Sequence, residues 1–152
     1  MVFVMTFSID DHGYLRSPYL HDGFVDGILL AGESAVTVLL RDVKDRTFSM
    51  QLIGVEHLAC DDFRQGNIIL HVQIVSGIAP NDDTLRSLLG PPHPKAAQEF
   101  HDRYEQFLKR QIEKIKERSL TLVSIDPSYG CYLRALCRDV VISPRADGVV
   151  VP

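Results

Sequence analysis

Alternation with a period of two dominates the first half of the chain. In residues 34–41, Val36, Val38 and Leu40 fall on one side of an extended backbone and Ala35, Thr37 and Leu39 on the other; in residues 46–53, Phe48, Met50 and Leu52 alternate with Thr47, Ser49 and Gln51. One side of each strand therefore faces a core. The connector Asp42-Val43-Lys44-Asp45 is short and polar, which predicts that these two strands pair antiparallel as neighbours. Residues 2–9, VFVMTFSI, are rich in β-branched and aromatic side chains and stop at Asp10-Asp11-His12-Gly13, so they read as a first strand. Ser17-Pro18-Tyr19 breaks regular structure, because proline lacks a ladder donor and holds its predecessor extended. Residues 24–31 form a further strand, with Gly32-Glu33 at hairpin spacing before the next. Residues 54–66 show no period. Alternation resumes over 67–76, with Ile68, Leu70, Val72 and Ile74 on one face.

The period then changes. Residues 80–94 hold four prolines and Gly90 and predict a connector, with one or two helical turns over 82–89. Across 94–118, Ala97, Phe100, Tyr104, Phe107, Leu108, Ile112 and Ile115 recur at three and four, the stripe of an amphipathic helix. Glu99, Asp102 and Glu105 come early and Lys109, Arg110, Lys114, Lys116 and Arg118 late, which suits the helix dipole. Pro94 fits a first turn, where its missing donor is not needed. The stripe is too broad for a coiled-coil seam and is expected to dock on a sheet. Residues 119–125 and 130–142 return to strand character, split by the turn Asp126-Pro127-Ser128-Tyr129-Gly130, and residues 143–152 read as an extended tail. The sum is one domain over 1–152, α+β in class: a predominantly antiparallel, curved sheet of about seven strands with one long helix inserted before the last two.

Composition adds limits. With 45% hydrophobic and 24% charged residues in 152, the chain is an ordinary folded domain large enough for its own core. No apolar run approaches the ~20 residues of a membrane helix, and the opening MVFVMTFSIDDHG lacks the basic start of a signal peptide, so a soluble, cytoplasmic protein is expected. Residues 1–83 carry twelve acids and five bases, a net −7, and residues 84–152 eight acids and eleven bases, a net +3. Nothing there offers the basic footprint of a nucleic-acid binder. A basic protein partner is the better electrostatic match, met by turn carboxylates expected to be exposed: Asp22, Asp26, Asp42, Asp45, Asp61 and Asp62.

Candidate chemistry is sparse. Cys60, Cys131 and Cys137 are an odd number without a CxxC pair, which points to reduced, packed thiols rather than a disulfide framework or a zinc site. Cys60 with His57 would make a nucleophile and base, and His21, Asp22 and Asp26 a metal-hydrolase centre, but neither has the further ligands or electropositive setting that such chemistry needs. No phosphate-cradling glycine motif occurs, so no cofactor is expected.

Two stretches carry a resemblance. Tyr19-Leu20-His21-Asp22-Gly23-Phe24-Val25, and Phe48 to Leu58 running into Gly66-Asn67-Ile68-Ile69, resemble small bacterial immunity proteins of polymorphic toxin systems, and 128–137 is similar in style to their closing strand. The resemblance implies a non-enzymatic protein that binds and neutralises a cognate toxin, and the long helix departs from its more compact pattern; a monomer or homodimer is expected. The alternatives are an oligomeric assembly protein using a sheet edge or the helix stripe, and the small metal-dependent hydrolase around His21 and Asp22.

Overall fold

A computed structural model describes residues 7–146. The elements in order are β1 Ser8–Ile9, β2 Leu15–Ser17, β3 Phe24–Ala31, β4 Ala35–Arg41, β5 Thr47–Ile53, β6 His57–Asp61, β7 Asn67–Val75, α1 Asp82–Leu89, α2 Gln98–Lys116, β8 Thr121–Tyr129, β9 Tyr132–Cys137 and β10 Asp139–Pro144. β1 and β2 pair with each other, while the other eight strands form one antiparallel sheet in the order β10-β5-β4-β3-β7-β8-β9-β6. The class is α+β, as the periodicity implied.

That order closes into a barrel. β5 runs on into β6 across Gly54-Val55-Glu56, and β9 runs on into β10 across Arg138. The β5·β10 and β6·β9 pairs are two stretches of one ladder, bridged where the Arg138 N–H donates to the Ile53 carbonyl at 2.9 Å and the Glu56 N–H to the Leu136 carbonyl at 2.8 Å. Going round, β3 pairs with β4, β4 with β5, the β5–β6 strand with β9–β10, β9 with β8, β8 with β7, and β7 with β3 through Phe24↔Ile68 and Val25↔Asn67. Closure leaves the barrel few edges to protect.

The interior is filled by the faces that alternation marked. Val36, Val38, Leu40, Phe48, Met50 and Leu52 meet Val72, Ile74, Val123, Ile125, Leu133, Ala135, Cys137 and Ile142 in one buried cluster. A second cluster lies outside the wall, where Val75, Leu120, Leu122 and Leu136 pack under Leu85 of α1 and Leu108 and Ile115 of α2. β8 and the end of β9 are thus covered on both sides, which is why residues 121–125 and 133–137 are buried without a break, Thr121, Ser124 and Arg134 included. Each large side chain fully buried in this seam contributes ~1.5–3 kcal/mol. The second half of the helix stripe docks on the sheet through Leu108 and Ile115, with Tyr104 and Ile112 partly covered, whereas Ala97 and Phe100 at its start are exposed.

Several expected boundaries move. Of the strand expected over 2–9, only Ser8–Ile9 is a described strand, and residues 1–6 lie outside the described part, as do 147–152 of the expected tail. Residues 54–66 contain β6, whose side chains are half-buried on both faces and so carry no period. In β7 the register slips near Ile69, so that Ile69 is buried and Leu70 exposed. Residues 82–89 form a helix of two turns, capped where the Asn81 side chain accepts from the Thr84 N–H. α2 starts at Gln98, not Pro94, because 94–96 form a turn in which the Lys95 N–H donates to the His93 ring. β8 passes through Pro127, which occupies an irregularity opposite Ile69, and the stretch 130–142 is two strands rather than one.

Candidate functional site

Two connectors, residues 18–23 before β3 and the β4–β5 turn at 42–46, lie together at one rim of the barrel, where Phe24 pairs with Arg41; the β6–β7 loop at 62–66 comes from the other end of β6 and lies along β3, so that it borders one cleft with Asp26 and Arg41. Their backbones explain their acids. Asp22, Asp45 and Asp62 have φ of 60°, 61° and 56°, the left-handed region that Asp tolerates better than most residues. The connector before β3 is tied down where Asp22 N–H donates to the Ile69 carbonyl at 2.9 Å and Ile69 N–H to the Gly23 carbonyl at 2.8 Å.

Asp42 departs from expectation. It is 1% exposed, not a surface group, because its carboxylate closes the β4–β5 turn. One oxygen accepts from the N–H groups of Lys44 and Arg46, each at 2.9 Å, and the other from the Arg46 Nε at 2.7 Å. Burial pushes its pKa up, but those bonds from Arg46 and Lys44 outweigh it and hold the carboxyl below the ordinary value.

The other five acids are placed as follows. Arg41 joins Asp26 at 3.0 Å to Asp45 at 2.9 Å, with its guanidinium 4.2 Å from the Phe24 ring centre. Asp26 foremost, then Asp45, raises the Arg41 pKa. Arg64 binds Asp62 at 2.8 Å and lies 5.8 Å from the centre of the Tyr129 ring. Asp61 turns away to Arg134, whose side chain is 4% exposed while that of Asp61 is 69% exposed. Asp22 stands 3.5 Å from the His21 ring. The structure therefore brings Asp26 and Asp45 together on Arg41, places Arg64 with its partner Asp62 on the cleft that Asp26 and Arg41 share, closes Asp42 onto Arg46, and leaves Asp22 and Asp61 apart from these. Asp26, Asp42, Asp45 and Asp62 each have an arginine partner, so the −7 of the first half is not displayed here as free acid.

Sequence reasoning missed three residues. Phe63, at the loop tip, is 49% exposed and lines two neighbouring clefts, one of about 680 Å³ with Asp26, Arg41 and Arg64 and one of about 400 Å³ with Gly27, Ile28 and Cys60. It lay in the stretch without period, and a lone phenylalanine there gave no signal. Asn67, buried, holds the β6–β7 loop. Its Oδ1 accepts from the N–H groups of Arg64 at 2.7 Å and Cys131 at 2.9 Å, and its Nδ2 donates to the carbonyls of Arg64 at 2.6 Å and Val25 at 3.2 Å. A polar residue opening a strand after Gly66 was the available hint. Arg134, also buried, donates to the Ser87 carbonyl at 3.2 Å and lies 4.1 Å from the Tyr132 ring centre, fastening β9 to α1 and β6.

The two candidate catalytic groupings do not assemble. His21 Nδ1 is 2.6 Å from the Leu70 carbonyl and Asp26 is taken by Arg41, so His21, Asp22 and Asp26 do not converge. Among the described residues no three His, Cys, Asp or Glu side chains are grouped as a metal centre requires. The His57 ring faces Phe107 at 6.2 Å, and the neighbour of the Cys60 sulfur is the Cys131 sulfur. No described helix is long and apolar enough to cross a membrane. Comparison with known protein families, curated proteins and solved structures finds no match to this chain.

Proposed function

We propose that this protein is a non-catalytic protein-binding domain, an immunity-like protein of the cytoplasm that neutralises a toxin or other partner by occupying its surface. The observation that carries the reading is Phe63. A large aromatic side chain, half-exposed between the Arg41–Asp26 and Arg64–Asp62 pairs, has the make-up of an interface anchor ringed by polar contacts. Tyr129, also 49% exposed, extends the apolar area beside Arg64. The pairing of these acids changes the partner expected. A partner with alternating acidic and basic groups around an apolar pocket fits better than a uniformly basic one, because Asp26, Asp42, Asp45 and Asp62 already have arginines at hand. The charges then set register and encounter rate, and Phe63 supplies most of the binding energy.

The test uses the immobilised full chain and a lysate of the cells that produce it. A protein retained by the wild type and by Asp62→Asn, with weaker retention as salt rises, and lost with Phe63→Glu is the expected result. The same proteins retained by wild type and Phe63→Glu would remove the cleft at Phe63 as the binding face. Since Phe63 is exposed, its substitution is expected to change unfolding free energy by no more than ~0.5 kcal/mol.

A further inference from the structure

We propose that Cys60 and Cys131 are a redox modification site, at which hydrogen peroxide converts the two thiols reversibly into an intramolecular disulfide. The residues are 71 apart in sequence, yet their sulfurs lie 3.0 Å apart as free thiols. Their backbones are already held together. β6 and β9 pair from His57↔Leu136 to Asp61↔Tyr132, which sets Cys60 opposite Leu133 with Cys131 on the diagonal just before β9, its N–H fixed by Asn67 Oδ1 at 2.9 Å. Joining the sulfurs closes a 3.0 Å contact to the ~2.05 Å of a disulfide.

The two thiols differ in access. Cys60 is half-buried and opens on the cleft that it shares with Asp26, Gly27, Ile28 and Phe63, whereas Cys131 is 1% exposed. Burial, with the neighbouring Cys60 next in effect, pushes the Cys131 thiol well above its ordinary value. This assigns the order of events. The Cys60 sulfur attacks one peroxide oxygen, the O–O bond breaks, and the departing hydroxide takes the Cys60 proton and leaves as water, giving a sulfenic acid. The Cys131 sulfur then attacks that of Cys60; the S–S bond forms, the S–O bond breaks, and the leaving hydroxide carries off the Cys131 proton as a second water. Two thiols lose two electrons and one peroxide gains them. A dithiol reductant reverses the change by exchange at the Cys60 sulfur. Cys137 is the internal control: it is fully buried, its sulfur lies 3.8 Å from the Thr121 carbonyl and near the Asp139 backbone, with no cysteine beside it, and burial foremost pushes its thiol up to about 12.

The experiment treats the reduced full chain with hydrogen peroxide, blocks remaining thiols with iodoacetamide after unfolding, and maps the peptides by mass. A peptide pair joined through Cys60 and Cys131, with Cys137 alkylated, is expected. Dithiothreitol should release the pair, Cys137→Ser should retain it and Cys60→Ser should abolish it. Cys60 recovered as a sulfinic acid or in a disulfide between two molecules, with Cys131 still alkylated, would overturn the assignment. So would recovery of all three cysteines as thiols.

Discussion

Asp42 shows how one buried carboxylate can be a turn component rather than a contact for a partner. With its folded pKa below the ordinary value of about 3.8, its contribution to stability is present above that pH and is lost as pH falls through the folded value. Asp42→Asn is expected to lower the unfolding free energy at neutral pH by ~1–3 kcal/mol, since an amide cannot serve Arg46 as the carboxylate does, and to flatten the acid side of the stability profile. Urea titrations from pH 2 to 7 check both. Asn67 is the stricter case. Asn67→Ala leaves the Cys131 N–H and the Val25 carbonyl inside the barrel wall without partners, and a loss of ~2–4 kcal/mol is expected in the same titration. Neither role was legible in the sequence. Aspartate at a turn reads equally well as a surface charge or as a cap, and only the packing of residues 18–23 against the turn shows that Asp42 is covered. Asp22, Asp45 and Asp62 were correctly placed in turns, but their left-handed backbones show that turn geometry as well as charge accounts for aspartate there.

At the scale of elements, β5–β6 and β9–β10 are long strands bent at Gly54 and Arg138. Gly54 has φ 65°, and a Cβ there would collide with the Arg138 guanidinium, so Gly54→Ala meets both a backbone cost and a clash. A loss of roughly 1–2 kcal/mol from the left-handed backbone alone is expected, with the clash adding to it. Thermal unfolding of Gly54→Ala in the wild-type and Arg138→Ala backgrounds separates the two: the smaller loss is expected in the second. Strands buried on one side were legible, as Val36-Val38-Leu40 and Phe48-Met50-Leu52 show, because alternation is the direct trace of an inside and an outside. β6 was not, since partial cover on both faces erases the period. Residues 130–142 read as one strand because no glycine or proline after Gly130 marks the bend, and the charged pair at the break, Arg138-Asp139, reads equally well as solvent-facing strand positions. The helix stripe was legible along most of its length, and the overlong N-terminal boundary came from treating Pro94 as a first-turn residue when it belongs to the preceding turn.

For the whole molecule, the closed ladder and the docked second half of α2 direct attention to the cleft at Phe63. Leu108 and Ile115 of the α2 stripe are occupied by the seam over β8 and β9 while Phe100 stays exposed, and the ring of strand pairs leaves short edges, so the surface proposed for a partner is the cleft that Asp26 and Arg41 border with residues 63–66. The sequence dipole pointed to this acid-rich half, but its simple electrostatic reading failed to anticipate that Arg41, Arg46 and Arg64 fold back on the acids. Amide hydrogen exchange, on the free protein and on the protein saturated with the partner that Phe63→Glu fails to retain, tests the central claim most directly. Added protection concentrated at Asp26 and residues 62–66, with α2 unchanged and neither protein covalently altered, is the expected result. Protection over α2 instead, or a partner recovered cleaved or modified, would contradict an account in which the cleft at Phe63 acts by binding alone.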